Sequence, residues 1–314
     1  MIHTKKYVTS TYHDLKIPAE IFRPELETPI GVIQMVHGLT ENCTLYRDMG
    51  DFFAKKGYTF IIHDVLGHGE SLIDNTPMYL PKNGWKYAAN DIQAVYEQAA
   101  EPEEKILKRF LIGFSMGSFL VRCLLAEKDV HVDGVVLVGT GNKSKIEVCI
   151  GKMITKNAIK EKGGKMLDER INQLAVKSND DFFKNDGYEN AWLFKNKAAA
   201  QQYKKNDTCY KFVTPSFFLE LLTGMAKTKD IGKLKKTNPE IFLISGEEDV
   251  VTKNIEKIKQ FFEKNGCTNV EAKQIYGYRH AILSDECRRG VWSDIVDWIR
   301  SREFRSTHEI QMWK

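Results

Sequence analysis

Residues 110–118 read FLIGFSMGS, a short apolar run that leads into the pattern Gly-x-Ser-x-Gly around Ser115. A segment of helix-forming residues, 119–128, follows it. This pattern presents a nucleophilic serine only between a strand and a helix, on a sharp turn. Gly113 and Gly117 suit such a turn because a Cβ there would collide with the neighbouring strand and helix. We therefore predict a turn that holds Ser115 at a helix N-terminus, where N–H groups favour negative charge. A glycine-rich turn without chemistry is the alternative.

The composition is that of a globular protein and excludes several classes of function. The net charge is +4 over 314 residues, which gives no support for nucleic-acid binding because that needs a concentrated basic patch. The chain has no run of about 18 apolar residues and no apolar segment behind its N-terminus. The six cysteines form no Cys-x-x-Cys pair, which argues against a zinc site and a disulfide scaffold. We expect a cytoplasmic protein with reduced cysteines and no transmembrane segment.

In the first 141 residues and again after residue 236, predicted strands alternate with segments that have helical spacing of apolar residues. Two strands around a turn at residues 13–14 suggest an antiparallel hairpin at a sheet edge. Six further strands are predicted at residues 30–36, 58–63, 109–113, 132–138, 239–245 and 270–276. The apolar runs at residues 30–36 and 58–63 suit strands that are buried on both faces. The pattern predicts an α/β fold with a mostly parallel eight-stranded sheet and helices on both faces.

The alternation stops between residues 142 and 236. This segment is rich in Lys, Asn and Ala, and its apolar residues recur at helical spacing in residues 146–158, 166–176 and 217–225. We expect an inserted helical cap here, with the α/β core formed by residues 1–141 and 237–314.

Three side chains that could form a hydrolytic triad each follow a predicted strand. Serine is a poor nucleophile at neutral pH, so it needs imidazole as a base, and an acid must orient the imidazole. Ser115, Asp249 and His280 stand in the order serine, acid, histidine, which is the order in α/β-hydrolases.

Other residues compete for the acid and the base. Among eight histidines, His280 is preferred because it follows a late strand in a glycine-containing loop. Asp249 is preferred because it lies deepest past its strand and is followed by two valines that can pack it inward. The competing acids are Glu247, Glu248, Asp64 and Asp285.

An oxyanion hole needs two N–H donors beside the serine. One is expected from Met116, the residue after the nucleophile. The other is expected from Leu39, in the loop after the early strand that ends in His37-Gly38. A plain turn after the strand is the alternative.

Several motifs carry a resemblance to a known family. They are HGLTE at residues 37–41 with Tyr46, DVLGHGES at 64–71, GFSMGS at 113–118, SGEED at 245–249 and the His280 loop. With these motifs the chain resembles the monoglyceride lipase and lysophospholipase group of serine α/β-hydrolases, also called serine aminopeptidase-type hydrolases.

The resemblance implies a triad of Ser115, Asp249 and His280 and oxyanion donors at Leu39 and Met116. Residues 206–212 in the cap also resemble a segment of the bacterial lysophospholipase-like members. The chain has Asn42 where the family often has His and Leu66 where it often has Arg, and these departures concern fine contacts to substrate.

The apolar residues of the cap are candidates for an acyl-chain pocket. Most are expected to pack cap helices onto the core. Phe217, Phe218, Leu221 and Leu222 are the best candidates for the pocket, since their stretch is apolar around most of a helix. The lysines of the cap are interpreted as a solvated face, with transient contact with anionic lipid surfaces or a phosphate head group as the alternative.

Together these features predict a serine hydrolase that cleaves carboxylic esters of the monoacylglycerol or lysophospholipid type through an acyl-enzyme on Ser115. No metal or organic cofactor is required. A peptidase or amidase of the same fold is one alternative. A non-catalytic ligand-binding protein on this fold is another, and it predicts a broken triad.

Overall fold

The computed structural model describes residues 1–177, 179–232 and 234–312, with the backbone alone for residue 235 and residues 303–312. These residues contain a sheet of eight strands. The strands are β1 (Ile2–Thr9), β2 (Lys16–Arg23), β3 (Gly31–Val36), β4 (Tyr58–His63), β5 (Arg109–Phe114), β6 (Gly134–Val138), β7 (Glu240–Gly246) and β8 (Val270–Ile275). Their order across the sheet is β1-β2-β4-β3-β5-β6-β7-β8. Pairing is antiparallel from β1 to β2 and from β2 to β4, and parallel elsewhere. The predicted mostly parallel, eight-stranded sheet is confirmed.

The apolar runs become central strands because helices cover both faces of the sheet. Every residue of β3, β4, β5 and β6 is buried. The helices around the sheet are α1 (Arg47–Lys55), α2 (Gly84–Ala99), α3 (Met116–Glu127), α9 (Ile255–Lys264) and α10 (Arg288–Met312). Side chains of α1 and α10 share one buried cluster, and those of α2, α3 and α9 share the other. Two cores, one on each face, therefore hold the sheet.

The opening hairpin is longer than the sequence indicates. Strand β1 begins at Ile2 rather than near residue 7 and pairs along its whole length with β2. Its first six residues are exposed. An edge strand of this kind carries no buried apolar face, so no alternation of apolar and polar residues marks its start.

The segment between β6 and β7, residues 142–236, is called the cap segment below. Its helices are α4 (Lys145–Lys162), α5 (Glu169–Asn172), α6 (Lys197–Lys205), α7 (Pro215–Lys227) and α8 (Leu234–Thr237), with a π turn at Gln173–Lys177 and a 3₁₀ turn at Asp180–Asp186. The described residues of this segment contain no strand. Local capping explains two helix starts: Ser144 and Glu147 form a capping box at α4, and Thr214 caps α7 ahead of Pro215.

The cap segment packs on the core as well as on itself. Helix α7 contacts α4 within the cap segment and both α2 and α3 of the core. Arg122 of α3 links the residue before the segment to the C-terminus of α7, since its guanidinium donates to the carbonyls of Gly141 (3.0 Å) and Thr228 (2.9 Å). Among the residues described, no helix is long and apolar enough to cross a bilayer.

Candidate active site

Ser115 lies on a sharp turn between β5 and α3. Its backbone has φ 49° and ψ −115°, a strained conformation for a residue with a side chain. The flanking glycines are required by space: a Cβ on Gly117 would lie 2.1 Å from the carbonyl oxygen of Val36, and one on Gly113 would lie 2.7 Å from Ser118 Cα. The Ser115 N–H donates to Val138 O at 2.9 Å, which ties the turn to the end of β6. The turn predicted from the sequence pattern is present.

Three side chains from separate strand ends are joined in one series of hydrogen bonds. Ser115 Oγ lies 2.8 Å from His280 Nε2, and His280 Nδ1 lies 2.9 Å from each carboxylate oxygen of Asp249. Because an ionised carboxylate only accepts, Nδ1 carries the hydrogen and Nε2 is left to accept the serine proton. Strands β5, β7 and β8 end at the same edge of the sheet, which is how residues 115, 249 and 280 meet.

The Asp249 carboxylate is buried yet fully bonded. It accepts hydrogen bonds from the Val251 N–H at 2.8 Å and from Thr252 Oγ1 at 2.9 Å, in addition to His280. Burial by itself raises the pKa of Asp249, but the attraction of His280 and these hydrogen bonds outweigh burial and lower it. Asp249 is therefore ionised at neutral pH and suited to orient the imidazole.

The four acids that compete with Asp249 in the sequence are bonded elsewhere. Their partners are the Gly277 N–H for Glu247, the Arg279 guanidinium for Glu248, the Cys43 N–H for Asp64 and the Lys195 N–H for Asp285. Each of these carboxylates holds a loop or a neighbouring element and none of these contacts involves His280.

The loop at residues 37–42, called the oxyanion loop below, presents the N–H of Leu39. The Val65 N–H donates to His37 Nε2 at 3.0 Å, so the hydrogen of the neutral ring is on Nδ1, which donates to Gly38 O at 2.8 Å. Burial lowers the pKa of His37 and keeps the ring neutral. In a trans peptide the C=O and N–H point in opposite directions. By holding Gly38 O, His37 therefore directs the Leu39 N–H the other way.

The N–H groups on either side of Leu39 are occupied. Gly38 N–H donates to Glu41 Oε2 at 2.8 Å, and Thr40 N–H donates to His68 Nε2 at 3.2 Å. Burial holds the pKa of His68 well below its usual range, so this ring is a neutral acceptor. Within the described part of the chain, the Leu39 N–H has no protein acceptor. It is thus free for a ligand in the cavity that Leu39 lines.

Met116 supplies a second candidate donor. It is the first residue of α3, and the first N–H groups of a helix have no acceptor within the helix. Met116, Leu39, Ser115 and His280 line the same cavity. The sequence predicted Leu39 and Met116 as donors, and both line the cavity, but it did not predict the side chains that hold the loop. The only sequence signal for His37, Glu41 and His68 is their position in the motifs at residues 37–41 and 64–71.

The cavity beside Ser115 has a volume of about 1060 Å³ and lies between the core and the cap segment. Three of the four pocket residues predicted from the sequence line it: Phe218, Leu221 and Leu222. Phe217 does not. It is fully buried on another side of α7, with its ring edge-on to His68 at a centroid distance of 5.2 Å. Consecutive residues of an α-helix are rotated by about 100° around its axis, so Phe217 and Phe218 face different surroundings.

Other lining residues were not singled out as pocket residues from the sequence. They include Phe119, Val148, Ile150, Ile154, Leu174, Val176, Trp192, Tyr203, Tyr210 and Met225. Most come from segments that meet only because the cap segment folds over the sheet edge. Charged side chains also line the cavity: Lys143, Glu147, Lys177, Asp180, Asp181, Glu189, Lys204 and Lys211.

Comparison with known proteins agrees with this architecture. The family model described as "Serine aminopeptidase, S33" matches residues 27–287. Rattus norvegicus "Monoglyceride lipase" is 25% identical over 117 residues, which is 35% of each chain. Bos taurus "Protein ABHD8" is 25% identical over 116 residues, 37% of this chain and 25% of that protein. The chain therefore aligns with only about a quarter to a third of the length of these relatives.

Solved structures match over nearly the whole chain. A structure titled "Lipase (Open form)" has a TM-score of 0.83 with 20% identity, covering 96% of this chain and 99% of that one. A thermostable carboxyl esterase from Bacillus coagulans has a TM-score of 0.81 with 19% identity and the same coverage. A soluble variant of the Saccharomyces cerevisiae monoglyceride lipase has a TM-score of 0.74 with 13% identity, covering 96% of each chain. At these identities the likeness establishes the α/β-hydrolase fold.

Proposed function

We propose that this chain, which belongs to the family described as serine aminopeptidase, S33, is a serine hydrolase that cleaves carboxylic esters of single-chain lipids. One observation carries the proposal: the continuous hydrogen bonds from Ser115 Oγ through His280 to Asp249, at 2.8 and 2.9 Å. These distances are within reach of proton transfer from the serine to the imidazole. A ligand-binding protein without catalysis has no need for this arrangement.

The proposed reaction proceeds through an acyl-enzyme. Ser115 Oγ attacks the ester carbonyl carbon while His280 Nε2 takes the hydroxyl proton. The resulting oxyanion accepts hydrogen bonds from the N–H groups of Leu39 and Met116. The tetrahedral intermediate collapses, and His280 gives its proton to the departing alcohol. Water then attacks the acyl-enzyme with His280 as base, and a second tetrahedral intermediate releases the carboxylic acid and restores the Ser115 hydroxyl.

The cavity supports a substrate with one acyl chain, of the monoacylglycerol or lysophospholipid type. Aliphatic and aromatic side chains of α3, α4 and α7 form much of its wall, and its volume is large enough for a chain of many methylene groups. Each buried methylene contributes about 0.8 kcal/mol to binding. Two of the similar proteins above are named monoglyceride lipase, which supports this substrate class.

An outward face of α4 supports contact with a lipid surface. Ile146, Ile150 and Met153 recur at i, i+4 and i+7 and are 72%, 50% and 59% exposed. Four lysines of the same helix accompany them: Lys145, Lys152, Lys156 and Lys160. Ile150 also lines the cavity. An exposed apolar stripe with lysines beside it suits the surface of a membrane that contains anionic lipids.

The family description favours one second candidate, an amide or peptide hydrolase. Carboxylates that could bind a free α-amino group line the cavity at Asp180, Asp181 and Glu189. However, Asp180 already accepts the N–H groups of Asn190 and Trp192, and Glu189 pairs with Lys204 at 2.9 Å. Two of the three carboxylates are thus engaged, and Lys177, Lys204 and Lys211 line the same cavity, so the ester hydrolase is preferred.

A hydrolysis panel tests the proposal. Monoacylglycerols, lysophospholipids, p-nitrophenyl esters of graded chain length and aminoacyl-β-naphthylamides are each offered to the wild type and to Ser115→Ala. We expect turnover of esters by the wild type, loss of that turnover in Ser115→Ala, and labelling of Ser115 by a fluorophosphonate. Ester turnover retained by Ser115→Ala contradicts the mechanism, and turnover of the naphthylamides alone favours the second candidate.

A further inference from the structure

Thr40 is a strained residue of the oxyanion loop, and several contacts hold it. Its φ is 66°, a left-handed conformation that a β-branched residue rarely adopts. Four hydrogen bonds converge on it: from its N–H to His68 Nε2 (3.2 Å), from its Oγ1 to Leu39 O (2.6 Å), between its Oγ1 and the Tyr203 hydroxyl (2.8 Å), and to its O from the Tyr210 N–H (3.1 Å). Such a conformation persists only where the surroundings enforce it.

Two of these four contacts come from the cap segment. Tyr203 lies in α6, and Tyr210 follows that helix. A third bond joins the same regions, because Asn42 Nδ2 donates to Thr208 O at 2.6 Å. Residues 203–210 of the cap segment therefore hold the oxyanion loop from outside the core, in addition to the bond from the core residue His68.

The Thr40 hydroxyl has two partners, Leu39 O and the Tyr203 hydroxyl, and this fixes the direction of its hydrogen bond with Tyr203. Leu39 O can only accept, so the Thr40 hydroxyl gives its single proton to Leu39 O. The Tyr203 hydroxyl must then donate to Thr40 Oγ1. Burial raises the pKa of Tyr203, so its proton stays in place across the neutral range. The ring is held by Phe194, with centroids 5.5 Å apart, and by Lys211 Nζ, 3.9 Å from its centre.

We propose that Tyr203 is a positioning residue for the oxyanion hole and acts through Thr40. The peptide before Leu39 is held by His37 at Gly38 O, and the peptide after it is held at Leu39 O by the Thr40 hydroxyl. These two bonds together set the backbone of Leu39 and so the direction of its N–H. Tyr203 fixes the hydroxyl that makes the second bond. The inference rests on the proposed function, because it assigns Leu39 N–H as an oxyanion donor.

A double-mutant cycle on ester hydrolysis tests this role. The variants are Tyr203→Phe, Thr40→Val and the double variant, assayed with p-nitrophenyl butyrate for kcat and KM separately. Tyr203→Phe should lower kcat about 3- to 10-fold, as expected for one hydrogen bond, with KM nearly unchanged. Thr40→Val should lower kcat at least as much. In the Thr40→Val background, Tyr203→Phe should have little further effect, since its target is gone.

Two further variants keep the test interpretable. Thr40→Ser retains the hydroxyl and should keep kcat within about two-fold of the wild type, which a general loss of packing would not allow. Tyr7→Phe removes another tyrosine hydroxyl bond, from Tyr7 on the edge strand β1 to Glu70, and should leave both constants unchanged.

Three results would overturn the inference while the proposed function stands: unchanged kcat in Tyr203→Phe, a rise in KM alone, or additive losses in the cycle. The last two would mean that Tyr203 contacts the substrate directly from the cavity wall. Absence of any Ser115-dependent ester hydrolysis in the wild type would instead contradict the proposed function.

Discussion

The indole of Trp192 lies against the imidazole of His280, with ring centroids 5.2 Å apart and the planes inclined by 24°. The backbone next to Trp192 also bonds to the loop that carries His280, since Ala281 N–H donates to Leu193 O at 2.8 Å. Trp192 Nε1 is buried without a hydrogen-bond partner among the described residues, so the indole contributes apolar packing here rather than a hydrogen bond. The cap segment thus covers one face of the proposed base.

Substitution of Trp192 should impair catalysis more when more of its ring surface is removed. Trp192→Ala exposes the imidazole to water and removes its steric support, and we expect kcat/KM for p-nitrophenyl butyrate to fall about 10-fold. Trp192→Phe keeps an aromatic ring against His280 and should retain most activity. Steady-state kinetics of both variants provide the measurement. Equal activity of Trp192→Ala and the wild type would show that the contact has no functional role.

Asp249→Asn should nearly abolish turnover without unfolding the protein. The amide can still accept the Val251 N–H, but it favours the His280 tautomer whose Nε2 is protonated and cannot take the serine proton. We expect kcat to fall by about 10⁴. Glu247→Gln is the matched control, because that carboxylate lies in the same turn and accepts a hydrogen bond from the Gly277 N–H rather than from His280. A much smaller loss in Asp249→Asn would indicate that another acid orients the base.

A bulky residue on the cavity face of α7 should shorten the accepted acyl chain. Leu221→Trp fills part of the volume beside Ser115, so kcat/KM for long-chain p-nitrophenyl esters should fall at least 10-fold while that for the butyrate ester changes little. The ratio of the two constants is the quantity to measure. Leu219→Trp is the control, because Leu219 lies on α7 outside the cavity lining. A uniform loss over all chain lengths would speak against an acyl pocket at Leu221.

Glu41 should make stability depend on pH. Burial raises the pKa of Glu41 from 4.5 to about 7, against the hydrogen bonds from Tyr46 and Gly38. Between pH 4.5 and about 7, Glu41 is protonated in the folded state but ionised in the unfolded state. The folded state therefore binds one more proton, and the unfolding free energy of the wild type falls as pH rises through this range. Glu41→Gln keeps the acceptor and cannot titrate. In urea denaturation, the unfolding free energy of the wild type relative to Glu41→Gln should therefore fall from pH 4.5 to 7, by up to about 3 kcal/mol. A constant difference would contradict the raised pKa.

The exposed stripe of α4 should bind anionic vesicles. We expect the wild type to co-sediment with phosphatidylcholine vesicles that contain phosphatidylserine, and less so as salt is raised, because the lysines of α4 contribute. The double variant Ile146→Gln and Met153→Gln should lose about 10-fold in affinity. Ile106→Gln removes an isoleucine that is still more exposed (87%) and lies outside α4, and this variant should bind normally. Equal binding by all variants would exclude this face.

The strand ends were predictable from the sequence because the residues directly before and after each one indicate a strand followed by a turn. Continuous apolar runs, which suit strands buried on both faces, precede the turns of Ser115 and Asp249, so these two could be placed at the carboxyl end of a parallel sheet. The strand before His280, VEAKQI, alternates with polar residues, and His280 was placed by its position in a glycine-containing loop after that strand. Their order along the chain then assigned a role to each. Treating residues 142–236 as a separate cap subdomain remains a proposal.

The contacts between distant segments could be decided only by the tertiary structure. Phe217 and Phe218 are equally apolar in the sequence, and the rotation of α7 on the core decides which one faces the cavity. Likewise His68 and Tyr203 reach Thr40 from 28 and 163 residues away. Apolar periodicity records only that a residue is buried, whereas hydrogen-bond partners depend on how whole elements pack. The sequence therefore determined which three residues, Ser115, Asp249 and His280, follow the strand ends, and the packing of the cap segment decided how the oxyanion loop is held.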